Sequence, residues 1–158
     1  MKLELAKTAG FCYGVRRAVE MAEQAAASGQ PCVMLGPLIH NRHVTERLER
    51  AGVRMVDSLE QVSADTAVIL RSHGEARAVY QALAELGNPV IDAACPNVSR
   101  IHRIVEQAEA AGRTAGIIGN PLHPEVAAIA GWCQAPVILS TPEEIEIWLE
   151  ANPEYQEK

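Results

Sequence analysis

Strand-like and helix-like patterns alternate along almost the whole sequence. Short apolar runs typical of strands occur in the stretches LELAK, CVMLG, VRMV, TAVILR, PVIDA, TAGIIG and PVILS. Between and after them lie segments whose apolar residues recur every three or four positions, as in amphipathic helices. These segments are VRRAVEMAEQAAA, HVTERLERAG, EARAVYQALAELG, NVSRIHRIVEQAEAAG, PEVAAIAGW and TPEEIEIWLEAN. The alternation predicts an α/β fold of parallel sheets with helices on both faces.

The order of these elements predicts two α/β units. A second round of strands and helices begins near Cys95–Pro96, which gives a first unit over 1–95 and a second over 96–158. Apolar residues make up 48% of the chain and aromatic residues 4%, so the core is built from small aliphatic side chains, as in helices packed on parallel sheets. The tail after Asn152, PEYQEK, offers nothing that packs, so we expect it not to pack on the rest of the chain.

Charge and hydropathy exclude several classes of partner. The formal net charge is −6, and the stretch 143–158 alone holds six Glu and one Lys, which leaves the rest near neutral. Because the chain has no basic stripe, we expect no nucleic-acid partner. It has no apolar run of the roughly 18 residues that a bilayer span needs, and its start lacks the apolar centre of a signal peptide. We therefore expect a cytoplasmic protein that does not enter a membrane.

Five residues with chemical potential share one kind of position. Each follows a strand-like run and precedes a helix; they are Cys12, His40, His73, Cys95 and His123. In parallel sheets the loops after the strands gather at one edge, where ligands bind and helix N-termini favour anions. These residues are therefore predicted to surround one site. Glu125 follows His123 closely, and the sequence leaves open whether it is a solvated helix residue or a proton donor.

The cysteines favour an iron–sulfur cluster over zinc. Structural zinc sites usually contain a close C-x-x-C pair, and this chain has none. Single cysteines on separate loops suit a cluster, and a thiol at a helix N-terminus is a better metal ligand. Cys12 and Cys95 fit that description, whereas Cys32 lies inside a strand and Cys133 follows a helix, so both are interpreted as inert packing residues.

The remaining histidines are predicted to have other roles. His43 and His102 lie within helical patterns and are interpreted as surface or interfacial residues. The loop histidines are suited instead to donate hydrogen bonds to a phosphorylated substrate. From the residues alone, the chain is predicted to hold a redox metal cofactor beside an anion pocket.

The motifs GFCYGVRRA, IHN, SHG, DAACP and HPEV, in this order and at these spacings, closely resemble the LytB/IspH family across essentially the whole chain. The resemblance implies that Cys12 and Cys95 are two of three ligands of a [4Fe–4S] cluster. It implies that His40, His73 and His123 bind the substrate's diphosphate and that Glu125 delivers a proton. The implied fold is a trefoil of three α/β units.

The implied reaction is the reductive removal of the hydroxyl group of 4-hydroxy-3-methylbut-2-enyl diphosphate. Its products are isopentenyl and dimethylallyl diphosphate, made in the methylerythritol phosphate route to isoprenoids. The resemblance also implies a ferredoxin- or flavodoxin-type electron donor.

Compared with that family, the sequence lacks the third cysteine, the third unit and the end of the second unit. We interpret it as the amino-terminal portion of a longer reductase, which predicts exposed apolar surfaces and an unpaired edge on the second sheet. The alternatives are a short, non-catalytic relative that binds a diphosphate or another anion, and one half of an enzyme whose missing unit or cluster ligand comes from another chain.

Overall fold

The computed structural model describes residues 2–156, which form two parallel sheets and six α-helices. The helices are α1 Tyr13–Ala27, α2 Arg42–Arg50, α3 Arg77–Leu86, α4 Pro96–Ala110, α5 Pro124–Ala130 and α6 Pro142–Ala151. The strands are β1 Cys32–Leu35, β2 Arg54–Val56, β3 Ala67–Leu70, β4 Val90–Asp92, β5 Gly116–Ile118 and β6 Val137–Leu139. Two short 3-10 helices lie at Leu59–Gln61 and Pro153–Tyr155.

The first sheet has helices on both faces. Its four strands are parallel and lie in the order β2-β1-β3-β4. Side chains alternate between the faces of a strand, so Cys32 and Met34 pack with α1 and α2, while Val33 and Leu35 pack with Leu83 of α3. The α/β prediction is confirmed. The loops after β1, β3 and β4 therefore leave the sheet at the same edge.

The second sheet is small. Strands β5 and β6 are parallel, and Ile117 of β5 packs with Val105 of α4 and Ile129 of α5. Ile118 faces away from this cluster and is 72% exposed. Within residues 2–156, the edge of β5 that does not face β6 has no partner strand. Both features agree with the exposed apolar surface and open sheet edge expected from the sequence.

The strand predicted at LELAK is wrong. Residues of this stretch form no strand, and Leu3 and Leu5 are 81% and 85% exposed. A strand exists only by pairing with a neighbour, and neither β2 nor β4, at the edges of the first sheet, pairs with this segment. The alternating pattern indicates which face of a strand would be buried, but it does not show that a neighbouring strand is available for pairing.

The prediction for the tail is also wrong as far as Tyr155. The Tyr155 ring lies 4.9 Å from that of Trp148, and its hydroxyl forms a 2.7 Å hydrogen bond with that of Thr114. These contacts fold the 3-10 helix at Pro153–Tyr155 back onto α6. A single aromatic residue carries no periodicity, so the sequence pattern does not indicate that Tyr155 packs.

The helices are short relative to a bilayer. Across residues 2–156, no helix is both long enough and apolar enough to cross a membrane.

Candidate active site

Three imidazole rings converge beyond the carboxyl ends of the strands. The ring centres of His40 and His73 lie 4.7 Å apart, and His123 lies 5.7 Å from each of them. The three residues follow β1, β3 and β5, so each comes from a different loop. We call them the histidine triad.

The His40 loop is anchored on both sides of the exposed ring. Leu38 and Ile39 are buried in the core beneath it. Asn41 then begins α2, because its side-chain oxygen accepts a hydrogen bond from the backbone N–H of Val44 at 3.2 Å. The apolar anchors and the helix cap leave the intervening imidazole at the rim of the sheet.

His73 lies in a tight turn. The Gly74 N–H donates to the Arg71 carbonyl at 2.9 Å, and Gly74 has a φ of +70°, which favours glycine. Neighbouring loops hold the turn laterally, since the Ser72 N–H donates to the Leu38 carbonyl and the Ser72 carbonyl accepts from the Cys95 N–H. Backbone hydrogen bonds thus fix the spacing between the loops that carry His40, His73 and Cys95.

The surroundings of His73 disfavour its charged form. Burial, followed by the positive charge of His40, His123 and Arg71, lowers the pKa of His73 to about 4. Its Nδ1 is buried and has no hydrogen-bond partner among residues 2–156. Arg71 itself is paired with Glu75, whose pKa is raised by burial against the opposing effect of Arg71. His73 is therefore a neutral ring that an anion would shift toward its protonated form.

His123 is held as a hydrogen-bond donor. It is the N-cap of α5, and its Nδ1 accepts the backbone N–H of Glu125 at 3.2 Å. A neutral imidazole whose Nδ1 accepts carries its proton on Nε2, so Nε2 is the donor. Glu125 lies in the first turn of the same helix and is half-buried. The local structure thus ties the candidate proton donor to one member of the triad.

Cys12 and Cys95 begin two neighbouring helices. They are the N-caps of α1 and α4, and neither thiol caps its own helix within the described residues. The two helix ends lie against each other, because a Cβ on Gly14 would come within 2.5 Å of the Cys95 Sγ. Arg17 reinforces this contact by donating to the Ala94 carbonyl at 3.1 Å. Within 2–156, no three or more His, Cys, Asp or Glu side chains are arranged to hold a metal ion.

The other two cysteines lie away from this junction. Cys32 is buried in β1, and burial raises the pKa of its thiol. Cys133 is half-buried, and its Sγ donates to the Ala130 carbonyl. Burial, and then the charge of Glu109, raises the pKa of the Cys133 thiol. Both environments suit a packing residue.

Sequence reasoning missed three residues that support the triad. Arg71 and Trp132 were not singled out, and His102 was left as a surface or interfacial residue. The structure places His102 in the interior, stacked on Trp132. Only Arg71 had a local signal, since a cation at the carboxyl end of a buried strand, directly before SHG, is unusual.

Residues 3–156 match the sequence profile of the LytB protein family. The chain belongs to the LytB family. It is 34% identical over 148 residues to 4-hydroxy-3-methylbut-2-enyl diphosphate reductase of Clostridioides difficile (strain 630), covering 92% of this chain and 53% of that enzyme. It is 42% identical over 135 residues to the reductase of the same name from Alkaliphilus oremlandii (strain OhILAs), covering 84% of this chain and 48% of that enzyme.

Solved structures give the same relationship. A structure of (E)-4-hydroxy-3-methyl-but-2-enyl diphosphate reductase, described as the terminal enzyme of the non-mevalonate pathway, matches with a TM-score of 0.79 at 36% identity, covering 92% of this chain and 53% of that one. The Plasmodium falciparum E-1-hydroxy-2-methyl-but-2-enyl-4-diphosphate reductase matches with a TM-score of 0.83 at 25% identity, covering 89% and 45%. This LytB-family chain therefore spans about half the length of its relatives.

Proposed function

We propose that the chain supplies the diphosphate-binding site and two cluster ligands of a 4-hydroxy-3-methylbut-2-enyl diphosphate reductase. The convergence of His40, His73 and His123 from three loops is the observation that carries the proposal. Such an enzyme acts on an allylic diphosphate in isoprenoid synthesis and works in the cytoplasm. The proposal fits the LytB-family match over residues 3–156.

The histidine triad is suited to a diphosphate. His123 offers its Nε2–H because its Nδ1 is occupied by the Glu125 backbone. His73 is neutral in the free chain and gains an attractive charge when an anion approaches it. Three rings within 6 Å of one another give donors from several directions to the oxygens of one ligand. The triad thereby fixes the diphosphate end of the substrate.

Pyrophosphate is the probe that tests this site. Removing one charge-assisted donor should weaken binding by about tenfold, so His73→Ala should raise the Kd measured by isothermal titration calorimetry by that factor. His43→Ala is the matched control because His43 is exposed on α2 and lies outside the triad. Equal affinities for the parent chain, His73→Ala and His43→Ala would contradict the proposal.

Cys12 and Cys95 fit an iron–sulfur cluster as two of its ligands. Both thiols lie at helix N-termini without bonding to their own helices, and Gly14 leaves the space that the Cys95 Sγ occupies. When bound, a [4Fe–4S] cluster would supply the electrons for reductive loss of the hydroxyl group. We propose that the third thiolate comes from a third α/β unit, in the same chain or another, completing a trefoil with units 1–95 and 96–158. A ferredoxin- or flavodoxin-type donor would reduce the cluster.

Glu125 is suited to deliver one of the two protons that the two-electron removal of a hydroxyl group as water consumes. Its backbone is bound to His123, so its carboxyl group lies in the same helix turn as a diphosphate ligand. A protonated carboxyl there can give its proton to the departing hydroxyl oxygen, which leaves as water. The chain's own residues would thus hold the diphosphate end and supply a proton, and Cys12 and Cys95 would hold the electron-carrying group.

The cluster assignment predicts which cysteine variants lose iron. This chain is co-expressed with the part of the Clostridioides difficile reductase that lies beyond the region it matches, purified without oxygen, and assayed for iron. We expect about four irons per complex, as a [4Fe–4S] cluster requires, and loss of most of that iron in Cys12→Ser and Cys95→Ser. Cys133→Ser is the control and should retain it. Equal iron in Cys95→Ser and Cys133→Ser would contradict the assignment.

A second candidate is a non-catalytic anion-binding relative. One observation favours it. The described residues bring all three histidines of the triad together, but they contain only two candidate cluster ligands, Cys12 and Cys95. Tight pyrophosphate binding by this chain, together with an iron-free complex in the co-expression experiment, would support this candidate over the reductase.

A further inference from the structure

His102 lies where an apolar residue would be expected. The buried face of α4 consists of Val98, His102 and Val105, and His102 is only 3% exposed. Its Nε2 is buried without a hydrogen-bond partner among residues 2–156. Burial lowers the pKa of His102 against the opposing charges of Asp92 and Glu125, which favours a neutral ring. An unpartnered buried nitrogen is unfavourable, which indicates that the ring serves through its shape and packing contacts rather than through a hydrogen bond of Nε2.

The ring is enclosed between a turn and an indole. On one side it stacks on Trp132, with ring centres 5.1 Å apart and planes 18° from parallel. On the other side it lies against Gly74, where an added Cβ would come within 2.5 Å of the His102 Cε1. Gly74 directly follows His73 and closes its turn. The His102 ring therefore packs directly against the turn that carries His73.

Trp132 extends this support along the same loop. Its Nε1 donates to the Glu75 carbonyl at 2.9 Å, and the Arg77 guanidinium lies 5.3 Å from the centre of its ring. The backbone N–H of Arg77 donates to the Gly131 carbonyl at 3.3 Å. The segment after His73 is thus held from α4 and from the end of α5, the helix that begins at His123.

We infer that His102 is a positioning residue for His73: its ring, held between Gly74 and Trp132, fixes the turn that brings His73 to the other two histidines. The inference rests on the proposed diphosphate site for its functional meaning. It extends that site to a residue that touches no substrate. His102 acts through Gly74, so its loss should displace His73 from the other two rings of the histidine triad.

His102→Ala in the full chain tests the inference, with Val105→Ala as the matched control. Val105 lies on the same buried face of α4 but packs on Ile117 and Ile129. NMR titration follows the His73 imidazole, and calorimetry measures pyrophosphate binding. In His102→Ala we expect the His73 pKa to rise from about 4 by about one unit or more. We expect the pyrophosphate Kd to rise by about tenfold.

Comparison with the control separates positioning from stability. Both variants should lower the melting temperature, and only His102→Ala should change the His73 titration. If His102→Ala does not fold, His102→Gln takes its place with the same expectations. A folded variant with the parent's His73 pKa would overturn the inference. If the parent chain fails to bind pyrophosphate, the proposed function fails, while the titration still decides the role of His102.

Discussion

Replacing Gly131 by alanine is expected to lower the free energy of unfolding by about 1–3 kcal/mol, because it overpacks a rigid contact. A Cβ at Gly131 would lie 2.3 Å from the Ala76 Cβ and 2.8 Å from the Ala76 Cα. Backbone must move to relieve this contact, since no flexible side chain is involved. Gly131 has a φ of −69°, so alanine introduces no dihedral strain and the effect is one of packing alone.

Denaturation by urea measures the effect, and Gly116→Ala is its control. Gly116 lies in β5, and an added Cβ there meets no atom within 4 Å. The control should be as stable as the parent or slightly more stable. Because Gly131 ends the helix that His123 begins, Gly131→Ala should also weaken pyrophosphate binding. Equal unfolding free energies for the two variants would show that the contact with Ala76 is not rigid.

The order of elements could be predicted from the sequence because it depends on local patterns. Six helices and six strands follow the predicted stretches in the described chain, and the β1 alternation of Cys32 and Met34 against Val33 and Leu35 matches a sheet buried on both faces. The first predicted strand failed for a non-local reason. Leu3 and Leu5 alternate like strand residues, but pairing needs an edge that the local sequence does not specify.

The part of the candidate site that follows from strand order alone could be predicted from the sequence. Loops after parallel strands gather at one edge, and this rule predicts that His40, His73 and His123 lie close together, as they do. The support beneath His73 could not be predicted in this way. His102 and Trp132 meet Gly74 and Glu75 only through tertiary packing between distant segments, and nothing in their own sequence neighbourhood marks those contacts.

Binding of pyrophosphate is expected to be accompanied by proton uptake at His73. In the free chain, burial and the charges of His40, His123 and Arg71 hold the pKa of His73 at about 4, so the ring is neutral near pH 7. An anion against the ring favours its protonated form and raises that pKa. Affinity should therefore increase as pH falls below the pKa of the bound form toward about 4, by up to about tenfold per pH unit for one proton.

The same residue gives folding stability the opposite pH dependence. The folded pKa of His73 lies below its ordinary value of 6.5, so the unfolded chain binds more protons between these two values. The contribution of neutral His73 to stability is thus complete above 6.5 and is lost as pH falls toward 4. Acid therefore loosens the empty site while it strengthens the attraction for an anion, so the stabilisation that bound pyrophosphate gives the folded chain should grow as pH falls from the pKa of the bound form toward about 4.

Calorimetry in buffers of different ionisation enthalpy measures the proton uptake at about pH 6. Pyrophosphate also takes up protons, so the informative quantity is the difference between the parent chain and His73→Gln, whose side chain cannot titrate. We expect the parent to take up more protons per pyrophosphate bound, and its unfolding free energy to fall more steeply with acid than that of the variant. Identical proton uptake in the two chains would mean that the anion does not lie against His73, and the triad would then have to act through His40 and His123 alone.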